Sequence, residues 1–358
     1  MKIMTILGTR PEIIRLSLII SKLDKTSDHI LVHTGQNYSK SLSDIFFDGL
    51  GIRRPNYHFD IEEYRFGRQL GKMFCEIETL LLSEKPDKVL ILGDTNSGLL
   101  SIIAERMSIP VYHMEAGNRC FDLKVPEEKN RKVIDSISSY ALPYTPGSRE
   151  NLLLDGLPKQ RIFLCGNPIF EVLNHFSDKI EESNILSELN IVKDNYLLVT
   201  IHRSENVDNF ERLQQIINAI DLIQKGNGFK VIFSVHPRTR QKLETFGIVN
   251  SNRNILYCEP FGFFDFVKLE KNARIVLTDS GTVQEECCIF NIPTVTVRDT
   301  TERPETVECG SNIVSGIHTE RIVECTKRMM KSNCQWEYPI GYIDRNVSDK
   351  VVNFILNN

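Results

Sequence analysis

Residues 111–131, VYHMEAGNRCFDLKVPEEKNR, place an apolar run, a turn and a charged helix start in immediate succession. Val111 to Met114 reads as a short buried strand, Ala116-Gly117 as the turn that ends it, and Pro126 as the opening of a helix that runs on through Val133 and Ile134. Glu115 then stands at a strand's carboxyl end and Glu127 in a helix's first turn. In an open α/β sheet the strand ends face the ligand crevice, and a helix start offers free N–H groups with a partial positive charge. Two acids delivered there from different elements, beside His113, Arg119 and Arg131, point to a catalytic cleft. For a glutamate pair alone the plainer account is that Glu127 and Glu128 favour the helix dipole and Glu115 is a solvated turn residue. The rest of the chain decides against it.

Working outward, a strand at Ile3–Leu7 leads through Gly8-Thr9-Arg10-Pro11-Glu12 into a helix with apolar residues at Ile13, Leu16, Ile20 and Leu23. Further strands are expected at His29–His33 and Lys88–Leu92, with helical stretches at Ser41–Leu50 and Gly67–Ser83. The second half repeats the plan: strands at Tyr196–Ile201, Lys230–Val235, Arg274–Thr278 and Thr294–Val297, helices at Phe210–Gln224 and Gly281–Phe290. This alternation predicts an α/β protein of two similar doubly wound domains with parallel sheets and ligand between them. The expected division is 1–166 and 167–342, near the stretch GNPIFEVL that starts at Gly166. In the final segment, 343–358, Val347, Val351, Val352 and Ile355 form a helix stripe expected to pack back on the first domain.

A length of 358 residues is enough for two cores. The net charge of −4, without a basic tail, gives no global reason to bind nucleic acid or an anionic membrane, so any anion site must be local. No segment approaches a membrane span, and the apolar run in MKIMTILGTRPE is too short for a secretion signal. The nine cysteines are scattered without a CxxC, which indicates neither a disulfide framework nor a zinc site; reduced thiols and a cytoplasmic location are expected.

The first strand is not followed by GxGxxG, so a dinucleotide is not supported, and no GxxxxGK[ST] marks a P-loop. Phosphate chemistry is present elsewhere. Thr278-Asp279-Ser280-Gly281-Thr282 is a strand-to-helix turn of small residues whose N–H groups can approach a phosphate, although Ser and Asp are also ordinary helix caps. One turn on, Glu285 and Glu286 can accept from ribose hydroxyls. Arg298 and Arg303, in RDTTERPE, can supply paired donors to a diphosphate. His202 and His236 end two strands at equivalent places, which favours the cleft, whereas His29, His58, His175 and His318 read as surface or core.

The ordered set LGTRPE (Leu7–Glu12), GDTNS (Gly93–Ser97), EAGNR and PEE.NR (Glu115–Arg131), HR.EN (His202–Asn206), HPRTR (His236–Arg240), TDSGT.QEE (Thr278–Glu286) and RDTTERPE (Arg298–Glu305) resembles the non-hydrolysing UDP-N-acetylglucosamine 2-epimerases. The resemblance implies the GT-B fold, two Rossmann-like domains with the active site in the cleft between them, a homodimer, a UDP-sugar substrate, and no metal or other cofactor. It places the family's catalytic groups on Asp94, Glu115, Glu127 and His202. Its UDP-sugar contacts fall on Arg10, His236, Phe266, Ser280, Glu286 and Arg303, with Gly281 and Thr282 in the phosphate turn. Arg15 stands where the family usually has lysine, and the stretch from Gly117 to Pro126 is shorter than in common members. Both departures bear on the substrate rather than the reaction class.

The implied chemistry explains the residues. C2 of an N-acetylhexosamine is not beside a carbonyl carbon, so a base cannot form an enolate there. Loss of UDP from C1 with removal of H2 gives a 2-acetamidoglycal; protonation of the other face and return of UDP complete the inversion. The route asks for acid or base groups on both faces of C2, cations for the departing diphosphate, and exclusion of water. Clustered carboxylates raise one another's pKa, so one can hold a proton beside an ionised neighbour. Asp94, Glu115 and Glu127 fit, with the assignment of faces left open. Alternatives on the same fold are a glycosyltransferase, a hydrolysing epimerase and a non-catalytic nucleotide-sugar sensor. HMEAGNRCFD followed closely by VPEE, with Arg15 and PFGFFDF (Pro260–Phe266), resembles the branch that epimerises a 6-deoxy-L-sugar towards UDP-N-acetyl-L-fucosamine.

Overall fold

The structure, a computed structural model, describes residues 1–36, 46–61, 63 and 65–358. The chain divides into two units, Met1–Asn174 with Ile340–Asn358, and His175–Pro339. In the first, β1 (Lys2–Leu7), β2 (Asp28–His33), β3 (Tyr57–His58), β4 (Lys88–Leu92), β5 (Val111–Met114) and β6 (Tyr140–Leu142) pair in the order β3-β2-β1-β4-β5-β6. In the second, β7 (Tyr196–Thr200), β8 (Lys230–Ser234), β9 (Ile255–Cys258), β10 (Ile275–Thr278), β11 (Thr294–Thr296) and β12 (Asn312–Val314) pair as β12-β11-β10-β7-β8-β9. Every pairing is parallel. Counted from each unit's first strand, the two orders are the same doubly wound order, each with its reversal between the first and fourth strands.

The central strands form because both their faces are covered. KVLIL of β4 and VYHM of β5 are buried throughout, as continuous apolar runs in parallel sheets are. Met4, Ile6, Val89, Ile91 and Val111 pack with Met73, Ile77 and Leu81 of the helix Phe66–Glu84 to make one face of the first core. In the second unit the helix Phe210–Asn227 covers one face through Leu213, Ile217 and Ile220, and the helix Gly281–Phe290 covers the other through Val283 and Cys287.

The interior strands stand where the sequence places them, to within a residue at either end. The unpredicted strands, β3, β6, β9 and β12, are the edges of the two sheets. The edge strands are partly exposed, whereas interior strands as short as β5, β10 and β11 are buried throughout. The helix expected at Ser41–Leu50 lies partly outside the described residues; residues 46–49 are helical.

The sequence division assigns residues 167–174 and 340–342 to the second half, whereas in the structure they lie with the first unit. Asn167 N donates to Gly341 O at 2.8 Å, and Glu171 accepts from Ser348 N at 2.8 Å. The closing helix Val347–Asn357 lies against the helix Arg10–Thr26, with Lys22 Nζ 2.6 Å from Asp349 and Lys88 Nζ donating to Ile355 O. Among the described residues no helix is long and apolar enough to cross a membrane.

Candidate active site

The carboxyl ends of β4 and β5 carry Asp94 and Glu115, and the helix Arg10–Thr26 that follows β1 carries the predicted Arg10 and Arg15. Leu92 pairs with Met114 in the register of β4 and β5, so Asp94 and Glu115 leave the ends of neighbouring strands. Arg131 reaches Asp94 Oδ2 through Nε, at 3.1 Å, and through Nη2. Its remaining branch, Nη1, lies 2.5 Å from Glu128 Oε2. Glu115 has φ +65°, the left-handed region, which a residue with a Cβ adopts only when its surroundings hold it there. Its buried carboxylate pairs with Arg15, whose guanidinium also lies over the Tyr144 ring at 5.9 Å. Arg10, the first residue of the same helix, is half-buried over the Phe46 ring, and burial pushes its guanidinium pKa down.

Glu127 and Glu128 part company. Both occupy the first turn of the helix Pro126–Ile137, but Glu128 is fully buried while Glu127 keeps partial exposure. Glu128 accepts from Cys120 N at 3.0 Å and Phe121 N at 3.2 Å, fixing the chain between Gly117 and Pro126. Burial alone would raise its carboxyl pKa; those amides and Arg131 outweigh burial and hold it below the usual range.

Sequence reasoning missed a buried charged chain beneath these groups. Asp135 stands 2.8 Å from His113 Nδ1 and 2.7 Å from Arg119 Nη1, and accepts from Gly117 N at 3.1 Å. His113 Nε2 lies 2.9 Å from the Gly93 carbonyl, just before Asp94. Burial pushes the Asp135 carboxyl up, but His113 and Arg119 more than reverse it. A signal was available: Glu128, Arg131 and Asp135 recur at the i, i+3, i+7 spacing that apolar core residues normally occupy.

In the second unit the ends of β7 and β10 meet through Asp279, whose role the sequence reading passed over. Asp279 is buried and accepts from His202 N at 3.0 Å, Arg203 N at 2.9 Å and Asn206 Nδ2 at 3.0 Å. Its Oδ1 is 3.1 Å from His202 Nδ1. Burial works against its charge, but the His202 ring and these donors hold its pKa low. The His202 and His236 rings are 5.9 Å apart, and His236 caps the helix Pro237–Thr245 through Nδ1. Ser280 and Thr282 share a hydroxyl bond of 2.9 Å at the start of the helix Gly281–Phe290. A Cβ on Gly281 would fall 2.5 Å from Glu302 Oε1, so the Glu302 carboxylate would have to shift to admit one. Arg303 Nε pairs with Glu285 at 2.6 Å, and Glu286 lies beside the buried Glu270, whose pKa burial and Glu286 push far up. Phe266 is half-buried against this unit's core. Among the described residues no group of three or more His, Cys, Asp or Glu is placed to hold a metal ion.

Residues 21–356 match the family model described as UDP-N-acetylglucosamine 2-epimerase. The chain belongs to that family. The UDP-N-acetylglucosamine 2-epimerase of Methanocaldococcus jannaschii is 44% identical over 349 residues, 95% of each chain. A crystal structure of the M. jannaschii UDP-GlcNAc 2-epimerase, in complex with UDP-GlcNAc and UDP, has a TM-score of 0.95 at 42% identity over 100% of both chains. The UDP-2,3-diacetamido-2,3-dideoxy-D-glucuronate 2-epimerase of Pseudomonas aeruginosa is 36% identical over 340 residues, 94% of each. The chain is therefore an isomerase, and its two Rossmann-like units are those of a GT-B epimerase.

Proposed function

We propose that the chain interconverts the C2 epimers of a UDP-N-acetylhexosamine, of the UDP-GlcNAc/UDP-ManNAc type, by elimination and return of UDP. A carboxylate takes H2 as the C1–O bond breaks and its electron pair leaves with UDP, giving the C1=C2 glycal. A second carboxyl group then protonates the opposite face of C2, and the UDP oxygen adds back to C1. The observation that carries this reading is the delivery of Asp94 and Glu115 from adjacent strand ends, each with its own arginine, Arg131 and Arg15. Glu128 is buried and holds two backbone amides and Arg131, whereas Glu127 is the less buried acid of that pair. Arg10, His236, Ser280, Gly281, Thr282, Glu286 and Arg303 would hold the nucleotide, Phe266 would pack against it, and His202 would assist departure of the diphosphate.

The M. jannaschii relative supports UDP-GlcNAc as substrate. The P. aeruginosa relative, by its name, acts on a sugar altered at C3 and C6, so variation there is compatible with the reaction. The test is turnover of UDP-GlcNAc in D2O, followed by NMR. Deuterium at C2 of a UDP-linked epimer is expected. Epimerisation with full retention of the original hydrogen rejects elimination, and release of free sugar or transfer to an acceptor rejects the non-hydrolysing assignment. Side-by-side kinetics against UDP-N-acetyl-L-pneumosamine decides between parent sugar and 6-deoxy branch, where a pocket for a methyl group rejects the added hydroxyl only by about 10²-fold.

A further inference from the structure

The GTRPE stretch contributes Arg10 to the proposed site, but its glutamate has no part in the chemistry above. Glu12 is buried, 2% exposed, in the first turn of the helix Arg10–Thr26. Its Oε2 accepts from Gly8 N at 2.6 Å and Thr9 N at 2.7 Å, the two amides that lead out of β1. Its Oε1 accepts from Thr95 Oγ1 at 2.7 Å, and Thr95 directly follows Asp94 at the exit of β4. One carboxyl group therefore spans the point where the order of the first sheet reverses. Around it the strand exits are tightly joined. Thr34 Oγ1, after β2, lies 2.7 Å from Ser97 Oγ, and a Cβ on Gly8 would fall 2.2 Å from the first and 2.3 Å from the second. Glu12 is the strut in this junction that ties the loop of Arg10 to the loop of Asp94.

We propose that Glu12 is a positioning residue for the epimerisation: through Thr95 it fixes where Asp94 stands relative to the Arg10 loop, without touching substrate. The proposal rests on the reading of Asp94 as one of the acids acting at C2. A carboxylate at a reacting carbon needs placement to within a fraction of an ångström, and a misplacement of about 1 Å costs on the order of 10²-fold in rate. Burial explains why the job falls to a group without substrate contact. Desolvation pushes the Glu12 carboxyl up to about 7, against the pull of the Thr95, Gly8 and Thr9 hydrogen bonds. The site thus retains a costly buried acid where an apolar residue would leave two amides and a hydroxyl unpaired.

The experiment compares Thr95→Val, Thr95→Ser, Glu12→Ala and the Glu12→Ala/Thr95→Val double variant, reading deuterium incorporation at C2, UDP affinity by calorimetry and the melting temperature. Thr95→Val is expected to lower the exchange rate by roughly 10–100-fold with UDP affinity within about twofold of wild type, since only placement of the acid changes. Thr95→Ser, which keeps the hydroxyl, is expected to restore the rate to within about threefold. The double variant should exchange no more slowly than Glu12→Ala, because both act through one link. A Thr95→Val rate within about threefold of wild type, a parallel loss of UDP affinity, failure of Thr95→Ser to restore the rate, or multiplicative effects in the double variant overturns the proposal. If Glu12→Ala does not fold, the two Thr95 variants decide. Absence of exchange in the wild-type protein instead overturns the epimerase reading beneath it.

Discussion

Glu12 in the first unit and Asp279 in the second do the same mechanical task from opposite sides. Each is a buried carboxyl group bridging the exits of its sheet's first and fourth strands, β1 and β4 or β7 and β10. Glu12 starts on the β1 side and reaches Thr95; Asp279 starts on the β10 side and reaches the amides of His202 and Arg203. Their surroundings differ in kind. Glu12 meets two amides and the hydroxyls of Thr95 and Thr9, all uncharged, and burial wins; Asp279 meets two amides, an imidazole and a side-chain amide, and the charge is held. Equal topology fixes where a strut is needed, while the partners within hydrogen-bond reach decide whether it carries a charge. The same contrast runs through the two ends. The first brings together Asp94 and Glu115, each paired with an arginine, and the second presents the small turn residues Ser280 and Thr282 beside the Arg303–Glu285 pair.

The largest expected effect separates chemistry from nucleotide binding. Asp94→Asn keeps the size of the side chain and an acceptor for Arg131 but removes a proton-transfer group, so turnover should fall by about 10²–10⁴-fold. UDP affinity should stay near that of wild type. Initial rates by NMR and UDP titration calorimetry check both, and a variant that binds UDP as weakly as it turns over would break the division of labour.

Next in size is a pH effect on stability. The Glu12 carboxyl titrates near 4.5 when free and about 7 in the fold, so between those values the folded protein holds a proton that the unfolded chain has released. Stability from this group is full below pH 4.5, falls as pH rises, and is lost above about 7. The shift amounts to roughly 3 kcal/mol at about 1.4 kcal/mol per pKa unit. Glu12→Gln cannot titrate, so its stability relative to wild type should rise from pH 4.5 to pH 8. Asp279 runs the other way: its contribution is present above its unfolded value of 3.8 and is lost as pH falls below it, so it does not enter this window. Urea unfolding of both proteins at several pH values measures the difference, in which the raised Glu270 cancels. A flat difference would remove the contrast between the struts.

The legible and illegible features divide along the same physical lines. Strands buried on both faces announce themselves as apolar runs, and Glu115 and Glu127 could be read from a strand end and a helix start, whereas Asp94 came only with the family resemblance. That Glu128 and not Glu127 is the buried one was not legible, since their different burial depends on the path of Cys120 and Phe121. The His113–Asp135–Arg119 chain was hidden because its members come from β5, the loop after it and the far end of a helix. Asp279 was in view, inside the turn read as a phosphate loop. Its role depends on contact with His202 and Arg203, far away in sequence.

The smallest effect tests the nucleotide side. Arg303 is expected to donate to the diphosphate, and a lost hydrogen bond to a charged group costs about 1.5–3 kcal/mol. Arg303 is already paired with Glu285 through Nε at 2.6 Å, so part of its positive charge is neutralised before UDP arrives. The effect should therefore lie near the lower end, about 1.5 kcal/mol or roughly a tenfold weaker Kd for UDP. Arg303→Ala would leave Glu285 buried opposite a vacancy, and that penalty falls on the fold, so Glu285→Gln/Arg303→Ala is the cleaner variant for calorimetry. Arg303→Lys sharpens the result: it keeps a charge but loses the planar fork, so affinity midway between arginine and alanine would assign the bond to paired donation. Unchanged UDP affinity in the folded double variant, with turnover reduced instead, would move Arg303 from nucleotide binding to chemistry and undo the contrast between the two ends.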